Sequence, residues 1–167
     1  MAGSDMKKNG FTLVEIVIAI AILSIAVFPF MQVLTQNLRV SMTTKQTYIG
    51  SHYAKALAEE IKLRHFGTTA FPMPAGAVSF DRRTYDDVDD YNGYDESANG
   101  GITDLSGVSF ENSYFRMVRV EPVDSSDLRP IIIGTIDVKR VTVECWVVEN
   151  SANEMITAIE FYVSSGG

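Results

Sequence analysis

The hydrophobic pattern divides the chain into an apolar stem and a mixed remainder. Residues 16–34 carry almost no polarity, and between Phe11 and Leu38 the only formal charge is Glu15. A helix rising ~1.5 Å per residue covers about 35 Å from Thr12 to Leu34. That length crosses a hydrocarbon core of about 30 Å. Pro29 lies inside the run and removes one backbone hydrogen bond, which predicts a kink or a local opening. Membrane spans tolerate this when neighbours compensate. Beyond Pro29 the helix resumes and reaches Arg64 or His65, with Gly67 as its stop signal. There Leu38, Met42, Ile49, Tyr53, Ala56, Leu57 and Leu63 fall within about 120° of one another, a stripe suited to a sheet. Glu60 interrupts the stripe and Lys45 sits on its edge.

Residues 67–112 lack helical periodicity and carry the turn formers Pro72, Pro74, Gly76, Asn92-Gly93, Asn99-Gly100-Gly101 and Gly107. Strands follow. Tyr114–Val123 is the first. Residues 138–148 form the second, where Val141, Val143, Cys145 and Val147 alternate with Thr142, Glu144 and Trp146. A polar turn at 149–154 returns the chain into 155–163, with Met155, Ile159, Phe161 and Val163 on one face. The predicted class is α+β: a long N-terminal α-helix packed on a small antiparallel β-meander. The segments are a membrane-spanning half at 11–35, an amphipathic half at 36–66, a loop at 67–112, the sheet at 113–164 and a fraying tail at 165–167.

Charge sharpens the division. The chain of 167 residues has a net charge of −7. Residues through Phe66 carry a net +3 and those from Gly67 onward a net −10. An acidic domain argues against nucleic acid as a partner, because a phosphate backbone calls for clustered Lys and Arg. Cys145 is the single cysteine, so one chain holds neither a disulfide nor a thiolate metal cluster. It reads as a core residue, and Trp146 as packing. His52 and His65 stand thirteen residues apart, about 140° around a helix, and do not form a metal pair on one face.

The N-terminal residues carry the most specific signal. Lys7 and Lys8 precede the apolar run and place the N-terminus on the cytoplasmic side of a membrane. An ordinary signal peptide has a shorter apolar region ending in small residues, whereas Phe28-Pro29-Phe30-Met31 is bulky. An acid inside a span is costly and usually has a partner or a task. Lys7-Lys8-Asn9-Gly10-Phe11-Thr12-Leu13-Val14-Glu15 closely resembles the type IV prepilin signature. The resemblance implies a leader at 1–10, cleavage by prepilin peptidase between Gly10 and Phe11, and N-methylation of Phe11. It also implies that Glu15 meets the N-terminal amine of a neighbouring subunit. The implied partners are other pilins or pseudopilins, prepilin peptidase, an inner-membrane assembly platform and, before assembly, membrane lipid. The implied location is the bacterial inner membrane, with the C-terminal domain periplasmic, and later a filament.

Tyr85-Asp86-Asp87-Val88-Asp89-Asp90-Tyr91-Asn92-Gly93-Tyr94-Asp95-Glu96 is the one cluster that invites chemistry. Asp87, Asp89, Asn92 and Asp95 offer oxygen ligands on a turning loop, as calcium requires. The spacing departs from an EF-hand, and a solvated or partner-facing acidic loop is the competing reading. With Phe80 to Tyr85 leading into it, the stretch also resembles a segment of minor pilins of the mannose-sensitive haemagglutinin type of pilus. No phosphate loop, nucleophile elbow or His-based metal motif occurs, so an enzyme is not expected. The sequence thus points to a minor pilin of a type IV pilus. A pseudopilin of a type II secretion system, or a membrane-anchored calcium-dependent adhesin that never polymerises, are the alternatives.

Overall fold

The computed structural model describes residues 12–76, 79–149 and 152–166. The chain forms two units, one reaching Thr43 and the other running from Thr44 to the C-terminus. Among the described residues, helix α1 (Leu13–Lys62) supplies the regular structure of the first unit and runs on past Thr43.

In the first unit α1 is long and apolar enough to cross a membrane, with a mean hydropathy of 2.7 over its most apolar 18 residues. Ile16, Ile20, Leu23 and Val27 are all exposed, as lipid-facing side chains are. The Ser24 and Thr35 hydroxyls are satisfied within the helix. Ser24 donates to the Ile20 carbonyl at 2.7 Å and Thr35 to that of Met31 at 2.8 Å. This back-bonding hides a polar group that lipid cannot solvate. The helix continues through Pro29.

In the second unit α1 packs on a three-stranded antiparallel sheet of order β3-β4-β5: Tyr114–Val123, Val138–Glu149 and Ala152–Ser164. The α+β class and the meander expected from alternation are therefore observed. Val141, Val143, Cys145 and Val147 of β4 face the core, as do Val118 and Val120 of β3. Burial pushes the Cys145 thiol up to about 11, so it behaves as an inert core group.

The face that α1 buries differs from the expected stripe. Gly50, Ala54, Leu57, Ala58 and Ile61 are buried, whereas Ala56 and Leu63 are exposed. Leu38 and Met42, in the first unit, are exposed as well. Small residues at intervals of four let the backbone approach the sheet, so volume rather than hydropathy selects the face. Gly50 is the extreme case. A Cβ there would stand 2.2 Å from Ile156 Cδ1 and 2.9 Å from its Cγ1. Gly50→Ala is expected to destabilise by about 1–3 kcal/mol through overpacking. Combined with Ile156→Ala it is expected to cost less than the two single changes together, measured as a double-mutant cycle in denaturant.

The loop between helix and sheet is more ordered than its turn residues suggest. Among its described residues it holds three single-turn 3-10 helices (Arg82–Thr84, Asp89–Tyr91 and Glu96–Asn99) and a two-stranded ribbon, β1 (Ile102–Thr103) with β2 (Ser109–Glu111). Tyr85, Val88, Tyr91, Tyr94 and Ile102 join the same core as α1 and the sheet. Tyr85 and Tyr91 meet edge to face at 4.8 Å. The loop also closes one edge of the sheet. Gly93 N–H donates to the Val118 carbonyl at 3.0 Å, and Val118 N–H to that of Tyr94 at 2.9 Å.

Candidate functional site

Two regions carry the predicted site residues. Gly10 and Phe11 lie outside the described residues. Glu15 is described, in the first turn of α1. Thr12 precedes the helix, and its Oγ1 accepts from the Glu15 N–H at 3.3 Å. In return Glu15 Oε2 accepts from the Thr12 N–H at 3.3 Å and faces its hydroxyl at 3.4 Å. This reciprocal pair is a capping box, with Thr12 as N-cap and Glu15 three residues on. A carboxylate at a helix N-terminus is further favoured by the helix dipole. Glu15 thus has a local partner in the single chain. The spacing Thr-x-x-Glu shows this pairing in the sequence itself.

The acidic loop is built differently from a calcium cage. Asp87, Asp89, Asn92 and Asp95 each serve a separate local structure. Asp87 Oδ1 accepts from the N–H groups of Asp89 and Asp90 at 2.8 and 3.2 Å. Asp95 Oδ1 caps the third 3-10 helix through the Ser97 N–H at 2.8 Å. Asn92 Oδ1 accepts from the Val120 N–H at 3.2 Å, sealing the edge of β3. Asp89 is buried and faces Lys139, Nζ to Oδ1 2.7 Å. Its Oδ2 accepts from the Thr68 N–H at 2.8 Å. Asp and Asn favour turns for this reason, since their short side chains bond nearby backbone. Among the described residues, the one group of three or more carboxylates whose oxygens all lie within 4.8 Å of one another is Asp86, Asp87 and Asp90. Of the four predicted ligands only Asp87 belongs to that group, so the structure does not gather the set read from the sequence.

Nor is the loop open. Glu96 is fully buried and is the hub of a charged network that sequence reasoning missed. Arg116 Nε donates to its Oε2 at 2.7 Å and Arg116 Nη2 to its Oε1 at 2.5 Å. The Thr103 N–H and the Tyr94 hydroxyl each donate to Oε1 at 3.0 Å. Arg82 joins Glu96 to the helix, with Nη1 3.4 Å from Glu96 Oε1 and Nε 3.0 Å from Glu60 Oε1. Tyr91 donates to Glu60 Oε1 at 2.8 Å. Burial acts to raise the Glu96 carboxyl, and the Arg116 guanidinium overcomes it, holding the group below the usual range. The network explains why Glu60 interrupts an otherwise apolar stripe. It ties the end of α1 to the loop and to β3.

The prokaryotic N-terminal methylation motif matches residues 5–30. No curated protein and no solved structure matches the chain.

Proposed function

We propose that this chain is a minor pilin, a structural subunit of a type IV pilus, processed by prepilin peptidase and assembled through its N-terminal helix. The carrying observation is the methylation motif at residues 5–30 running directly into an apolar helix with one acid in its first turn. That motif supports a type IV pilin- or pseudopilin-like protein anchored in a membrane. The family is structural, and the loop carboxylates serve turns and ion pairs rather than a reaction. The cut falls between Gly10 and Phe11, and the new amine of Phe11 is methylated. The stem is held first by lipid, with the domain on the periplasmic side, and then by the stems of other subunits. The buried lone Cys145 and the acidic segment at 85–96 favour a low-copy subunit over a major one.

The proposal is tested by the mass and N-terminal sequence of the protein from its native host, and by probing sheared filaments for it. A chain beginning at a methylated Phe11 and co-sedimenting with filaments is expected. An unprocessed N-terminus on a chain that stays wholly in the membrane refutes it. Gly10→Val is expected to abolish processing, because a β-branched side chain hinders close approach of a protease to the backbone. The readout is precursor accumulating in the membrane fraction on a gel, and wild-type processing of this variant argues against the cut site.

A further inference from the structure

Lys139 is the one buried lysine among the described residues, and its side chain is completely shielded from solvent. Its Nζ lies 2.7 Å from Asp89 Oδ1, donates to the Phe66 carbonyl at 2.7 Å and stands 4.1 Å from the centre of the Phe66 ring. Asp89 is equally enclosed, at 2 % exposure. Its other oxygen is fixed by the Thr68 N–H at 2.8 Å. A second carboxyl group adjoins the first. A Cβ on Gly67 would stand 3.0 Å from both the Asp87 and the Asp89 carboxyl carbons. Gly67 has φ +84°, so backbone conformation and the crowding carboxylates both require glycine there. A fully buried ion pair of this kind carries a desolvation penalty on both partners. An amide of the same atoms carries no charge.

We propose that Lys139 and Asp89 are joined by an intramolecular amide bond. The neutral Lys139 amine attacks Asp89 Cγ, a C–N bond forms, and the bond from Cγ to Oδ1 breaks. Oδ2 becomes the amide carbonyl oxygen and keeps the Thr68 N–H as its donor. The departing oxygen leaves as water with protons that the amine and carboxyl already hold, so no oxidant, metal or activated co-reactant is involved. The amine proton passes directly from Nζ to the departing Oδ1, 2.7 Å away. The bond links β4 to the acidic loop beside the end of α1, tying together parts of the domain fifty residues apart in sequence. It does not depend on the filament reading.

The test uses the full chain extracted in detergent, digested with trypsin and weighed. Trypsin does not cut after an acylated lysine. The expected product is residues 84–116 joined to residues 120–140, lighter than the two free peptides by one water. Separate peptides 84–116 and 120–139 from folded protein show an ion pair only and overturn the proposal. Asp89→Asn is expected to give the same joined product through loss of ammonia.

Discussion

Arg116→Leu is expected to destabilise the globular unit by about 3–5 kcal/mol, a large share of the stability of an ordinary domain. The reason is what the substitution leaves behind. Glu96 has no solvent contact, and its two oxygens take the Arg116 Nε and Nη2 at 2.7 and 2.5 Å. Without Arg116 the nearest cation is Arg82 at 3.4 Å, which is already bonded to Glu60, Thr103 and Tyr94. The loss therefore strands a carboxylate rather than merely deleting a contact. Glu96→Met added to Arg116→Leu is expected to recover much of the deficit, because no unpaired charge remains. Denaturant titration followed by the fluorescence of Trp146, the single tryptophan, measures both. If the single substitution costs no more than an exposed pair would, about 1 kcal/mol or less, the network is not the clamp described.

The same group fixes a direction for acid sensitivity. The folded-state pKa of Glu96 lies below its ordinary value of 4.5. Its contribution is therefore complete above that value and is lost as pH falls through the folded pKa. Stability of the wild type is expected to decline on acidification below that point, and that of Glu96→Gln to decline less steeply.

What the sequence disclosed follows from how each feature is written. Alternation over 138–148 marks one strand because every second side chain meets the core, and Tyr114–Val123 is bounded by turns on both sides. The apolar stem is continuous, so a simple count of residues finds it. The buried face of α1 was harder to see because Gly50, Ala54 and Ala58 pack by being small, while scales of hydropathy weight Leu38, Met42 and Leu63, which are exposed. The ionic network leaves no periodic trace at all. Glu60 and Arg82 stand 22 residues apart and Glu96 and Arg116 stand 20 apart. The one visible sign was Glu60 itself, a charge where the stripe called for an apolar side chain. A turning run of Asp suits calcium, a solvated acidic loop and turn capping alike, so the loop acids do not declare their use in the sequence. The structure shows turn capping at Asp87 and Asp95.

Glu15→Ala is expected to leave membrane insertion intact and to reduce incorporation into filaments by two orders of magnitude or more. In the single chain the Glu15 carboxylate caps the first turn of α1 with Thr12. That role is modest, since loss of a cap costs about 1 kcal/mol. It does not account for a larger assembly defect. On the proposed assembly the carboxylate would enter an apolar interior, where an unpaired charge costs far more and a neighbour's amine would compensate it. The two contributions separate by substitution. Thr12→Val removes the cap and keeps the charge, so incorporation is expected to fall only a few-fold. Glu15→Gln keeps an oxygen that can accept from the Thr12 N–H but has no charge, so it is expected to fail nearly as completely as Glu15→Ala. The measurement is the ratio of subunit in sheared filaments to subunit in the membrane fraction. Wild-type behaviour of Glu15→Gln would reduce Glu15 to a helix cap. Failure of Gln and Ala alike, with insertion unchanged, isolates the negative charge as what the assembled stem requires.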